Sequence, residues 1–304
     1  MMRSLIFWLS KKKAFTDPIA RTGMRLGFAR RFIAGETLED GLRVARELNA
    51  KGMKVMMNRL GEYVGERREA EESCAHYKEI LQEVARRQLD TSVSIKPTQL
   101  GLLFAPDLCR ELTLRVVEEA ARLNNFVEFD MEASDTTEAT VELFEAVRRR
   151  YPNVGLAIQA YLYRSERDLA RLKPLGPKIR LVKGAYREPA TVAFPKKSQV
   201  DENYRKLMGR LFSDGFVPAV ATHDDKMIAL AKQVVREKNP PPDGWEFQMI
   251  LGVRRDLQEQ LVRAGHRLRV YIPYGSEWLP YFMRRLAERP ANLGFVVKSI
   301  LKGG

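Results

Sequence analysis

The sequence predicts an α/β fold, a (β/α)8 barrel, and three observations carry that expectation. Eight short apolar runs recur along the 304 residues, and polar stretches of helical character lie between them. Successive runs end about 21 to 39 residues apart, the length of one strand plus one crossover helix in a right-handed βαβ unit. A doubly wound open sheet uses the same units. However, no Gly-x-Gly-x-x-Gly follows the first strand, which argues against a dinucleotide-binding sheet.

The elements follow in order. Thr37 with Asp40 three residues later has the form of a helix start, helical periodicity runs to Ala50, and Gly52 supplies a stop. The strand-like runs are Met53 to Leu60, Ser92 to Lys96, Phe126 to Met131, Val154 to Ala160, Ile179 to Lys183, Val217 to Thr222, Phe247 to Leu251 and Leu268 to Ile272. Helical stretches between them include Glu66 to Gln88, Pro106 to Leu123, Thr136 to Arg150, Glu202 to Phe212, Lys226 to Glu237 and Asp256 to Ala264. The Pro-rich segment Asn239 to Gly244 reads as a rigid loop. The expected organisation is a barrel domain over 51–304 with an N-terminal helical extension over 1–50.

A composition of 45% hydrophobic and 30% charged residues excludes a wholly disordered chain and a multispan membrane protein. The two cysteines, Cys74 and Cys109, have no ligand-like spacing, so neither a metal site nor a disulfide scaffold is expected. The formal charge of +13 is uneven: residues 1–31 hold eight bases and one acid, and the remaining 273 hold 44 bases and 38 acids. A nucleic-acid partner is therefore not expected. In the basic segment, Leu5 to Leu9 precede Lys11, Lys12 and Lys13. The run is too short to span a bilayer and lacks the charge order and small residues of a cleaved signal, so it reads as retained. Two readings fit it, a peripheral membrane foot or a packed N-terminal helix with solvated lysines.

In a barrel the chemistry gathers where strands end. Those positions hold Glu62, Lys96, Asp130, Gln159, Arg180 with Lys183, His223, Gln248, and Tyr271 with Tyr274. Two acids among at least three cations favour an anionic ligand. In the fifth run, period 2 sends Arg180 and Val182 one way and Ile179, Leu181 and Lys183 the other. An Arg inside a barrel needs either a ligand or an acid such as Asp130, and Gly184 permits close approach at the strand end. The last helix, Glu277 to Glu288, sets Tyr281, Arg284, Arg285 and Glu288 on one face and Leu279, Phe282, Met283 and Leu286 nearly opposite. Outside the barrel that face makes an Arg285/Glu288 surface pair; across the mouth it makes a carboxylate fork. Periodicity leaves both placements open.

Taken in order, Ser94-Ile95-Lys96, Phe129-Asp130-Met131-Glu132, Gln159-Ala160-Tyr161, Arg180-Leu181-Val182-Lys183-Gly184-Ala185-Tyr186, Ala221-Thr222-His223 and Glu246-Phe247-Gln248-Met249 form a series. It ends in Tyr271, Pro273, Tyr274, Gly275 and Tyr281-x-x-Arg284-Arg285-x-x-Glu288. From about Met53 to Phe295 this resembles the FAD-dependent proline dehydrogenases (proline oxidases) in their monofunctional bacterial form. The resemblance implies a distorted (β/α)8 barrel with the last helix over the mouth. It also implies oxidation of L-proline to Δ1-pyrroline-5-carboxylate by hydride transfer to FAD N5, and electrons passed to a membrane quinone.

By the same resemblance Lys96, Arg284 and Arg285 bind the proline carboxylate. Tyr271 and Tyr281 wall the ring with Leu251 as an apolar contact, and Asp130 holds Lys96 or a tyrosine in place. Arg180 sits by the flavin N5, while Gln159, Lys183, Gly184, Ala185, Thr222 and His223 contact the cofactor. Glu62 gates the site with Arg284, and Glu288 belongs with that gate or stands behind it. No residue stands out as a general base. The implied location is cytoplasmic, peripheral at the inner face of a bacterial membrane, with a separate pyrroline-5-carboxylate dehydrogenase for the product. Asp224, where the family often has Asn, and Arg187-Glu188 after Gly-Ala-Tyr depart from the pattern. The rival readings are another flavin barrel such as a folate reductase, and a basic membrane or nucleic-acid adaptor without redox activity.

Overall fold

The computed structural model describes residues 31–279 and Tyr281. Parallel strands close into a barrel in chain order: β1 (Lys54–Arg59), β2 (Thr91–Ile95), β3 (Val127–Phe129), β4 (Val154–Gln159), β5 (Lys178–Val182), β6 (Val217–Ala221), β7 (Glu246–Ile250) and β8 (Leu268–Tyr274). The ring shuts where Met56 of β1 pairs with Tyr271 of β8. Helix α1 (Leu38–Asn49) precedes β1. Strands β1 to β7 are followed in turn by α2 (Arg67–Arg86), α3 (Pro106–Arg122), α4 (Thr137–Arg148), α5 (Ser165–Leu172), α6 (Lys197–Ser213), α7 (Asp225–Lys238) and α8 (Arg255–Arg263). The barrel expected from run spacing is the fold that forms. Helix α6 begins at Lys197 rather than Glu202, and α5 was not among the anticipated helical stretches. No described helix is long and apolar enough to cross a membrane.

The start of α1 is fixed locally. Thr37 Oγ1 accepts from Asp40 N at 3.1 Å and Asp40 Oδ2 accepts from Thr37 N at 3.2 Å, a reciprocal cap of two otherwise orphaned donors. The helix then buries Leu42 and Ala45 in the same apolar cluster as Val55, Met57 and Ile272.

Strand alternation divides the barrel wall chemically. Val55, Met57, Val93, Ile95, Val127, Phe129, Ile179, Leu181, Phe247, Val270 and Ile272 form the outer face and pack into one cluster with the helices. The inner face is polar. In register across four strands run Ala157, Arg180, Ala219 and Glu246, so small residues flank the long arginine on both sides. Toward the strand N-termini, Glu246 Oε1 takes Lys178 Nζ at 2.6 Å and Arg269 Nε at 2.9 Å. Arg269 Nη1 also donates to Val55 O at 2.9 Å and Ser92 Oγ at 3.1 Å. Burial works against the Glu246 carboxylate, but Arg269 and Lys178 hold its carboxyl far below the usual range. The Phe126 ring lies 5.2 Å from Lys178 Nζ.

Removing one partner of a buried ion cluster leaves the others uncompensated, which costs about 3–5 kcal/mol. Glu246→Ala should destabilise the barrel by that amount in urea unfolding. A loss below about 1 kcal/mol, the range of exposed pairs, would show that this cluster is solvated.

Candidate active site

The site is built around Asp130, the first residue past β3. Its backbone N donates to Ile95 O at 2.9 Å, which keeps it against β2 at the C-terminal mouth. Asp130 Oδ1 accepts from Ser94 Oγ at 2.6 Å and Arg180 Nη1 at 2.5 Å. Its Oδ2 accepts from Tyr271 OH at 2.8 Å and lies 3.3 Å from Lys96 Nζ and 3.5 Å from Asn58 Nδ2. Burial raises the cost of this charge, but Lys96 and Arg180, with hydrogen bonds from Ser94 and Tyr271, hold the carboxyl at about 2.

The cations answer in kind. Burial would pull Lys96 down, yet Tyr186, Asp130 and Glu62 keep it well above its ordinary value, with Glu62 Oε1 at 3.6 Å. Arg180 reaches Ser94 Oγ at 3.1 Å, Met56 Sδ at 3.1 Å and Glu128 Oε1 at 3.2 Å. Its guanidinium lies 5.4 Å from the Tyr271 ring centroid. Burial, and then Asp130, push the Tyr271 phenol far up, so it serves as a hydrogen-bond donor.

These groups line a cavity of about 450 Å³. Of the residues singled out in the sequence, Glu62, Lys96, Asp130, Gln159, Arg180, Lys183, Gly184, Ala185, Thr222, His223, Tyr271 and Tyr281 border it. Leu251 does not: it belongs to the apolar core, and Ile250 borders the cavity in its place. Arg284, Arg285 and Glu288 lie outside the described residues. Of the last helix, Trp278 and Leu279 are buried, and Tyr281 reaches the cavity.

Lys183 corrects a sequence expectation. Period 2 sent it away from Arg180, but β5 ends at Val182 and the chain turns at Gly184, φ +120°, so Lys183 also reaches the cavity. A Cβ at Gly184 would stand 2.3 Å from the Tyr161 ring, which is why no other residue fits there. Lys183 Nζ meets Asp201 Oδ1 at 2.5 Å and Asp224 Oδ2 at 2.7 Å. Asp224 also accepts from Lys226 N at 3.0 Å, capping α7, and lies 3.6 Å from Lys197. That double duty explains an acid at this departure from the family pattern. At the other departure, Glu188 accepts from Ser134 N at 2.8 Å, tying the β5 loop to the β3 loop.

His223 Nε2 is 3.0 Å from Ile250 N, so that nitrogen is the acceptor and the neutral ring carries its proton on Nδ1. Gln159 Nε2 donates to Glu132 O at 2.8 Å. Asn58, Tyr186 and Lys197 were given no role from sequence, yet they border the cavity. Asn58 was legible as the amide that directly follows the apolar stretch Val55 to Met57 of the first run. Lys197 had no signal, since it arrives on the first turn of a helix. Among the described residues no group of His, Cys, Asp or Glu could hold a metal ion.

A parallel barrel that presents buried, acid-anchored cations at the C-terminal ends of its strands has the architecture of a barrel enzyme acting on a small anion. The chain matches the family described as "Proline dehydrogenase" over residues 41–298, and it belongs to that family of enzymes. It is 40% identical to proline dehydrogenase 1 of Bacillus subtilis over 302 residues, 99% of this chain and 100% of that protein. It is also 39% identical to the proline dehydrogenase of Deinococcus radiodurans over 292 residues, 94% of each chain. Against the bifunctional protein PutA of Escherichia coli the identity is 26%, covering 92% of this chain and 25% of that one. Among solved structures, proline utilization A from Bdellovibrio bacteriovorus, inactivated by N-propargylglycine, superposes with a TM-score of 0.81 at 23% identity. The match covers 93% of this chain and 37% of that one. The family read from the motifs is thus borne out.

The lowered Asp130 value fixes a sign. Its contribution to stability is complete above the unfolded value of 3.8 and is lost as pH falls through about 2. Asp130→Asn should flatten the dependence of unfolding free energy on pH across that window by up to one proton. An unaltered slope would mean that Asp130 is not ionised in the folded chain.

Proposed function

We propose that the chain oxidises L-proline to Δ1-pyrroline-5-carboxylate with FAD as hydride acceptor and passes the electrons to a membrane quinone. The observation that carries this reading is the convergence of Lys96 and Arg180 on opposite oxygens of Asp130 at the border of one cavity. One cation is suited to a substrate carboxylate and the other to a cofactor that gains negative charge.

The residues present fit a flavin. Gln248 Oε1 is a buried acceptor without a hydrogen-bond partner on a residue that borders the cavity, which suits an N–H of a planar heterocycle. Lys183 and Lys197 supply cations for phosphates. Bound FAD supplies the hydride acceptor, which no side chain of this protein can provide.

The chain's own residues do the rest. Lys96 binds the proline carboxylate together with Arg284 and Arg285, and Tyr271 and Tyr281 wall the ring. Asp130 orients Lys96 and Tyr271 and stays ionised. It is therefore a poor proton acceptor near neutral pH, which suits a substrate that arrives as the neutral amine. Arg180 places positive charge beside the reduced cofactor. Gln159, Lys183, Gly184, Ala185, Thr222 and His223 hold the cofactor along strands β4 to β6. Glu62, within 3.6 Å of Lys96 and 3.4 Å of Tyr186 OH, is positioned to gate with Arg284. Glu288 belongs with the same gate. The catalytic unit spans 51–304 with an extension over 1–50. The enzyme works in the cytoplasm at the inner membrane face, and a separate dehydrogenase takes the product.

Purified protein should be yellow and bleach when proline is added without oxygen; colourless protein that FAD cannot reconstitute would overturn the reading. Lys96→Met should raise the proline KM about 10- to 100-fold, the worth of a charge-assisted hydrogen bond, while flavin stays bound. Deleting residues 1–13 should weaken liposome association and quinone turnover and spare reduction by proline. Undiminished liposome association would refute the membrane foot.

A further inference from the structure

Behind Arg180 lies a second carboxylate that the site as described does not use. Glu128 stands two residues before Asp130 on β3, hence on the same inner face, and is wholly shielded from solvent. It does not border the cavity. Its Oε1 lies 3.2 Å from Arg180 Nε, and neither atom has a hydrogen-bond partner of good geometry, so the pair is held by charge. Its Oε2 accepts from Gln248 Nε2 at 3.4 Å, and the same amide donates to Glu246 Oε1 at 2.8 Å. Gln248 therefore links Glu128 to the Lys178–Glu246–Arg269 cluster below.

Resting on the flavin reading above, we propose that Glu128 is a positioning residue that acts through Arg180 and holds down the reduction potential of the bound flavin. Two carboxylates grip the guanidinium from different sides, Asp130 at Nη1 and Glu128 at Nε, which fixes its plane below the cavity. Asp130 is already shared with Lys96 and Tyr271. Glu128 is the partner whose charge falls chiefly on Arg180, and it cancels part of the field that Arg180 projects into a water-poor site. Without that carboxylate, the positive field would favour the negatively charged reduced cofactor more strongly. With it, electrons gained from substrate are more readily given up to an acceptor.

The test compares the holoenzyme with Glu128→Gln, which keeps shape and a hydrogen bond to Gln248 but removes the charge. The flavin potential is measured by anaerobic equilibration with a reference dye. Glu128→Gln should favour the reduced form about tenfold, a rise of about 30 mV for a two-electron couple, while the proline KM changes less than about twofold. Glu128→Asp, which retains the charge, should stay within about twofold of the unaltered enzyme in the same equilibrium. If Glu128→Gln does not fold, Glu128→Met removes the charge without demanding a hydrogen-bond partner and reads the same potential. An unchanged potential in a charge-free variant that binds FAD overturns the role of Glu128 and leaves the flavin reading intact. Unaltered protein that takes up no FAD overturns the flavin reading, and this inference with it.

Discussion

The ionised carboxylate of Asp130 is the constraint on which the mouth of this barrel depends. It is buried, and a lone buried charge is costly enough to neutralise itself or to unfold its surroundings. Here Ser94 of the second strand with Lys96 just past its end, Arg180 from the fifth and Tyr271 from the eighth all reach it. Those strands lie on different sides of the ring, so their ends must be held at one distance from a common point. A register slip by one residue would turn Lys96 or Arg180 outward into the apolar layer and strand Asp130 without partners. The requirement that closes the barrel correctly is the same one that preorganises its cations.

The division of the wall into an apolar outside and a charged inside follows from this. Many barrels fill their interior with branched apolar side chains. In this chain Lys178, Arg180, Glu128, Glu246 and Arg269 occupy that volume, and they fit because Gly155, Ala157 and Ala219 leave room beside them. Cohesion comes from the outer layer, where every strand meets a helix, and ion pairs of this depth contribute little net stability over well-packed apolar groups. The inner network is better understood as a rigid electrostatic floor. Its groups are already paired and immobile, so little reorganisation remains when charge develops above them.

This division also explains what was legible in the sequence. The outward half of each strand is apolar by necessity, so eight runs could be counted and the barrel inferred from their spacing. Polar residues inside those runs, such as Asn58 and Glu128, mark the inner face, but a single Glu in an apolar run carries no sign of its partner. Alternation placed Arg180 correctly and misplaced Lys183, because a period-2 rule stops where the strand stops and Gly184 turns the chain. The exchange of Leu251 for Ile250 at the cavity arises at the same kind of boundary, where β7 ends and alternation no longer fixes direction. The acid partners of Lys183 come from α6 and from the cap of α7, elements separated by a whole strand, and no local pattern brings them together.

Rim and floor differ in the depth of their ion pairs, and that difference assigns them separate tasks. Lys183, Asp201 and Asp224 are each about a quarter exposed, whereas Arg180, Glu128 and Asp130 are at most 8% exposed. Exchanging partners among partly solvated charges costs less, because water covers part of what is transiently lost. Exchanging them at the floor leaves a bare charge in a dry interior. An anion can therefore be admitted at the rim by drawing Lys183 and Lys197 away from Asp224 and Asp201, with the acid at 224 retained as the cap of α7. The floor, which fixes the geometry at the reacting end, need not move for that exchange to occur.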